Sequence, residues 1–176
     1  MSSIQISELP ENALLNKYKQ QGAYTDCYFM DIPGTISQSQ FVETFYTTAL
    51  FKMERSILAL VAARPSNDMQ ATQLANGQTS SFAAWSVEDR CANQLLLCDF
   101  LGRTRSWLMS DATEDRNSAN TRLYFGSAVV PKSTGQFGEK SFGFSFHALK
   151  GFHRLYTRAL MQAALTKLAK SLPVSQ

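Results

Sequence analysis

The feature that most constrains this chain is its last long stretch, Phe152 to Leu172. Phe152, Leu155, Tyr156, Ala159, Leu160, Ala163 and Ala164 recur at steps of three and four, so they line one face of a helix. At ~1.5 Å per residue such a helix is roughly 30 Å long, enough to cross a small domain. Strand-like runs precede it. A strand meander closed by one long helix predicts an α+β fold, with a curved antiparallel sheet packed on that helix. A meander of this size does not close on itself. The helix then supplies the missing wall, and any gap beside it becomes an apolar cavity.

Upstream, residues 1–10 read as loose and Pro10 to Gln20 as a short helix. Pro10 suits the first helical position, Leu14, Leu15 and Tyr18 share a face, and Gly22 stops it. Ala23 to Ile32 reads as a strand ended by Pro33-Gly34. Ser37 or Ser39 caps a helical pattern that runs through Phe41, Phe45, Met53, Ile57, Leu60 and Val61 to Pro65. Thr44, Thr47 and Thr48 weaken its middle, so two short helices are expected after the first strand. Pro65 to Ser81 reads as a polar loop with a turn at Asn76-Gly77. Four strands are expected next: Phe82–Asp89, Gln94–Phe100, Arg103–Ser110 and Arg122–Val130. Their short links imply antiparallel neighbours. Asp111–Thr121 and Pro131–Gly138 read as loops. Ser141–Lys150 reads as a short helix or an extended approach, broken from the last helix near Gly151. The whole chain, 1–176, is expected to form a single domain.

Composition limits the function classes. A hydrophobic share of 44% with 18% charged residues is that of a globular chain, and a net charge of +3 is too small to imply nucleic-acid binding. The longest apolar run, Ile57 to Ala63, falls far short of the ~20 residues of a membrane span. Met1 to Pro10 carries Glu8 and no apolar run, unlike a signal peptide. Cys27, Cys91 and Cys98 lack metal-ligand spacing and read as free, buried thiols of a reducing cytoplasm. From Lys140 onward the chain holds six basic residues and no acidic one. Lys150, Arg154 and Arg158 form a stripe: a solvated face, or a contact for an anionic group or a partner, a homodimer included.

No phosphate-binding glycine loop, nucleophile elbow or metal-binding histidine spacing is present, so no cofactor and no metal are expected. His147 and His153 are the only histidines. Either could titrate near neutral pH as an acid or base, and His153 lies near the expected cavity mouth. Arg103 and Arg105 share a strand face with Trp107 and Met109. Such an arginine needs a partner, with Asp26, Asp31 or Glu43 as candidates, or it grips a ligand carboxylate or phosphate. Arg122, opposite Leu123, is expected in solvent. Trp85, Trp107, Tyr124, Phe125 and Tyr156 are candidates for cavity lining, with plain core packing as the alternative for each. Tyr24 and Asp26 are weaker polar candidates.

Five stretches carry a resemblance: Trp85-Ser-Val-Glu-Asp-Arg90, Asn93-Gln-Leu-Leu-Leu97, Arg103-Thr-Arg-Ser-Trp-Leu108, Thr121-Arg-Leu-Tyr-Phe-Gly-Ser-Ala128 and His153-Arg-Leu-Tyr-Thr-Arg-Ala-Leu160. With the element order, they resemble the START-like, or Bet v 1-like, helix-grip superfamily (SRPBCC). More narrowly, they are similar to a bacterial family within it known only as a domain of unknown function. The resemblance implies a helix-grip fold with an internal cavity for an apolar small molecule, and no established reaction. Only five strands are evident where the superfamily usually shows seven, so Pro65–Ser81 and Pro131–Phe144 are the stretches to search for short ones. Three functions are therefore expected to compete. The first is a soluble protein binding an apolar or amphipathic small molecule between sheet and helix, through Trp85, Arg105, Trp107, Tyr124, Phe125, His153 and Tyr156. The second is a cyclase- or hydrolase-type enzyme using His147 or His153 with an arginine. The third is an interaction protein using the basic helix face.

Overall fold

The computed structural model describes residues 3–61, 65–115, 118–134, 139–141 and 144–171. Within these spans the side chains of 57–61, 114–115, 118–119, 132–134, 139–141, 144–154 and 171 lie outside the description. The elements run β1 (Gln5–Ile6), α1 (Asn16–Gln20), β2 (Tyr24–Pro33), α2 (Gln38–Tyr46), α3 (Ala49–Val61) and α4 (Asp68–Ala75). Then come β3 (Ser81–Phe82), β4 (Trp85–Cys91), β5 (Gln94–Asp99), β6 (Thr104–Asp115), β7 (Ser118–Val129), β8 (Lys132–Thr134), β9 (Glu139–Ser141) and α5 (Phe144–Ser171). The class is α+β. Seven strands form one antiparallel sheet in the order β1-β2-β7-β6-β5-β4-β3, and β8 and β9 form a separate ribbon.

The sheet is built outward from β6 and β7, twelve residues each, paired from Thr104↔Val129 to Asp115↔Ser118. Side chains alternate across a strand, so these two strands create two faces. On one face Leu108, Leu123 and Phe125 pack with Met30 and Leu97 beneath the helices, against Phe41 and Phe45 of α2, Leu74 of α4, and Leu160, Met161 and Leu168 of α5. On the other face Trp107, Met109, Ala128, Cys27 and Leu96 are covered by Ala13, Leu15 and Tyr18 from the N-terminal segment.

A polar pin holds that second cover. Gln94 is 3% exposed. Its Oε1 accepts from Trp107 Nε1 (2.8 Å) and from the Leu14 backbone N–H (2.9 Å), and its Nε2 donates to Asn12 O (2.9 Å). Gly126 keeps the cover close. A Cβ there would lie 2.9 Å from Trp107 Cε3, 2.9 Å from Asp26 O and 3.1 Å from Leu15 Cδ2.

Several expectations change. Three helices, not two, follow the first long strand. The break near Thr48 is present: Thr47 Oγ1 donates to Glu43 O (2.6 Å) and closes α2. The expected loop 65–81 instead holds α4, whose start is a capping box of Asn67 with Gln70. It ends in β3. The expected loop 111–121 is mostly strand, because β6 and β7 continue past their apolar cores. Lys132–Thr134 lies in the expected loop 131–138 as β8. The last helix does not break near Gly151: it begins at Phe144 and spans 28 residues, or ~42 Å. Its buried stripe is Thr157, Leu160, Met161, Ala164 and Leu168. Leu155 is exposed, as is Ala159, so the true face is rotated from the predicted one. Met53 is exposed too, and among the described side chains of α3 the buried ones are Phe51 and Arg55. Residues 1–10 are not all loose, since Gln5 and Ile6 pair with Phe29 and Tyr28. All three cysteines are free, but Cys91 is exposed rather than buried.

Two variants test this account. Gln94→Ala leaves the Trp107 N–H without its acceptor and unpins the N-terminal cover, so urea unfolding should show a loss of about 2–4 kcal/mol. Gly126→Ala forces Trp107, Leu15 or the β2 backbone to shift and should cost about 1–3 kcal/mol by the same measurement.

Candidate functional site

Where α5 crosses the sheet, a cavity of about 230 Å³ remains between the two layers. Phe45 and Tyr46 of α2 with Phe51 and Glu54 of α3 form one wall. Trp85 of β4 and Phe125 of β7 contribute from the sheet, and Tyr156, Thr157 and Leu160 close it from α5. The capped turn of α2 and the break at Thr47-Thr48 place these walls. The break lets Phe45 and Phe51 meet with ring centroids 6.4 Å apart, while Phe45 stacks on Phe125 at 5.0 Å.

The polar groups of the cavity are few. Tyr46 Oη and Ser106 Oγ lie 3.2 Å apart as a hydrogen-bonded pair. Ser127 donates its hydroxyl to Asp26 Oδ1 (2.7 Å), which sets Asp26 behind the wall. Tyr156 Oη donates to the Glu54 carboxyl. Burial pushes the Glu54 carboxyl above its ordinary range, and the Tyr156 hydrogen bond only partly offsets that. The Tyr156 phenol is pushed up as well, first by burial and then by the adjoining carboxyl. Two buried polar atoms here have no hydrogen-bond partner: Trp85 Nε1 and Thr157 Oγ1. Buried polar groups are hydrogen-bonded in most folds, so the Trp85 N–H is open to an added acceptor and the Thr157 hydroxyl to an added acceptor or donor.

Of the predicted site residues, Trp85, Phe125 and Tyr156 are brought together in this cavity. Arg105 borders it from β6, but its guanidinium is engaged elsewhere. Arg105 Nε meets Glu88 Oε2 (2.5 Å) and donates to Tyr18 Oη (2.7 Å), with the guanidinium 4.5 Å from the Tyr18 ring. Burial alone would raise the Glu88 carboxyl, yet hydrogen bonds from Lys17 and Tyr18 and the Arg105 charge hold it below its ordinary range. The partner is therefore Glu88, not Asp26, Asp31 or Glu43. Arg105 does share its face with Trp107, as alternation predicts.

Trp107 and Tyr124 lie in the N-terminal cluster on the other face, their rings 6.1 Å apart. Adjacent residues of a strand point to opposite faces, so Tyr124 and Phe125 cannot line one pocket together. Arg122 is half-buried rather than free in solvent. It grips Asp31 through Nε (2.7 Å) and Nη2 (2.9 Å) and lies 4.3 Å from the Phe29 ring. The side chains of His147 and His153 lie outside the described residues, as do those of Lys150 and Arg154 in the basic stripe; Arg158 is exposed. Glu54 and Thr157 were not anticipated. Their signal was present as a polar residue within an apolar helical stripe, where burial is costly.

Among the described residues, no group of histidine, cysteine and acidic side chains is arranged to hold a metal ion, and no helix is long and apolar enough to cross a membrane. Compared with protein-family models, curated proteins and solved structures, the chain has no match in any of the three.

The Glu54 shift has a sign that can be measured. A carboxyl raised on folding stabilises fully below its ordinary value of 4.5, and that contribution is lost as pH rises through its folded value. Glu8 and Asp68, held low by Lys19 and by Lys52 with Arg55, slope the other way in any variant. Thermal unfolding of Glu54→Gln beside the native protein isolates the one group. The two should melt alike near about pH 4, and the variant should melt higher toward about pH 8.

Proposed function

We propose that the chain is a START-like, helix-grip binding protein that holds an apolar or amphipathic small molecule in the cavity between its sheet and α5. Support comes from the architecture: a seven-stranded antiparallel sheet, helices inserted after the first long strand, and a closing C-terminal helix. The observation that carries the reading is the pairing of aromatic walls with two unpartnered buried polar atoms, Trp85 Nε1 and Thr157 Oγ1. A core built only for packing has no use for either. An engineered cavity of ~150 Å³ accommodates benzene, so a 230 Å³ cavity suits a ligand of roughly nine or ten heavy atoms.

The enzyme alternative, with His147 or His153 and an arginine, is not favoured, because Arg105 is bound to Glu88 and Tyr18. The three free thiols fit a reducing, cytoplasmic setting. Native mass spectrometry of the protein after exposure to a metabolite and lipid extract tests the reading. The expected result is a retained small molecule, lost in Val129→Phe, which narrows the half-buried edge of the cavity. Retention of nothing by the native protein, or equal retention by the variant, would overturn it.

A further inference from the structure

Among the described residues the cavity is bordered by one carboxylic acid and one base, Glu54, half-buried on α3, and Arg105, whose guanidinium turns to the other face of the sheet. Among the described residues, no lysine or arginine forms an ion pair with Glu54. Four described cations of α3, α5 and β6 are used elsewhere. Arg55, the next residue, binds Asp68 Oδ1 at 2.5 Å and lies 5.8 Å from the Phe82 ring. Lys52 also binds Asp68, and Lys167 of α5 donates to the Thr47 carbonyl at 3.1 Å. The Arg105 guanidinium is held by Glu88 and Tyr18.

A desolvated carboxylate with a neutral hydrogen-bond donor and no countercharge among the described residues is an expensive arrangement. It becomes favourable when a cation arrives from outside. The rest of the lining suits that visitor. Phe45, Tyr46, Phe51, Trp85, Phe125 and Tyr156 contribute aromatic rings, whose faces attract cations, and a positive charge enclosed by such rings is a known mode of ammonium recognition. Thr157 Oγ1, on a residue only 1% exposed, is free to accept from an ammonium N–H, and the Trp85 N–H is free to donate to a ligand oxygen.

We infer that the cavity selects a small organic cation, an amine with an apolar body and room for one oxygen acceptor, with Glu54 as its counter-ion. This rests on the reading of the cavity as a ligand site, and it adds the sign of the ligand. A carboxylate or phosphate ligand is excluded by the same Glu54. A neutral ligand of equal shape gains the walls but not the charge.

Three probes of one shape separate the two statements: 2-phenylethylamine, 2-phenylethanol and phenylacetate, titrated at neutral pH by calorimetry. The amine should bind at least about tenfold tighter than the alcohol, and phenylacetate weakest. Glu54→Gln, which keeps shape and removes charge, should erase the preference for the amine over the alcohol. Tyr156→Phe, which keeps the Glu54 charge, should retain the preference. If the alcohol binds as tightly as the amine, or if Glu54→Gln leaves the amine's advantage intact, the charge selection is wrong while the ligand site stands. If none of the three binds the folded native protein, both statements fall.

Discussion

The two-residue period of β6 and β7 is the constraint on which the rest of this structure depends. These strands pair over their full length, so one choice of register assigns the described side chains of both strands to a face. Ser106, Leu108, Leu123, Phe125 and Ser127 go beneath the helices; Arg105, Trp107, Met109, Tyr124 and Ala128 go beneath the N-terminal segment. A slip of one residue would put Trp107 into the cavity and Phe125 outside. The sheet therefore separates two cores with different jobs. The N-terminal core is dense, with Trp107 fully buried and its N–H satisfied. The helix-covered core contains the residual space.

That division explains which parts were legible. The strands were found because each had an apolar core with turn residues close by, and the β5–β6 hairpin shows why. Gly102 adopts φ 69°, and Asp99 Oδ1 accepts from the backbone N–H groups of Arg103 (2.6 Å) and Thr104 (3.0 Å). The ends of β6 and β7 were missed because their sequence there is largely polar, with Asp111 and Ala112 exposed. Main-chain pairing carries them on without any hydrophobic signal. Helix α4 was missed for a related reason. Its sequence, Asp68 to Ala75, has only Ala71, Leu74 and Ala75 buried, too few to stand out as a stripe. Its capping box, Asn67 with Gln70, was the readable sign, and Arg90 adds a long-range one by donating to the Leu74 carbonyl at 2.6 Å.

The site was less legible than the fold, and α5 shows the cause. Both Tyr156 and Thr157 line the cavity, so the inward face includes a half-buried residue and a fully buried hydroxyl. Periodicity treats Thr157 as an interruption and prefers Leu155, which is 70% exposed. A helix that borders a cavity need not present its most apolar stripe inward. The same holds for α3, where Glu54 interrupts the pattern. In each case the residue that breaks the apolar pattern sits at the cavity.

Glu54 and Arg105 make a useful contrast. Arg105 meets a full complement: an acid, a phenol and the Gly102 carbonyl at 2.9 Å. These contacts engage its Nε and Nη1, and the cluster reads as a clasp between α1, β4 and β6. Among the described residues Glu54 receives one phenol, in a space lined by rings. Burying an ionisable group this way lowers the stability of the empty protein, and packing on both faces of the sheet must absorb that cost. A chain selected for stability alone would place glutamine or leucine at this position. Retaining the acid gives the empty cavity a preference that neutral walls cannot supply, because an apolar lining discriminates by shape while an unpaired carboxylate discriminates by sign.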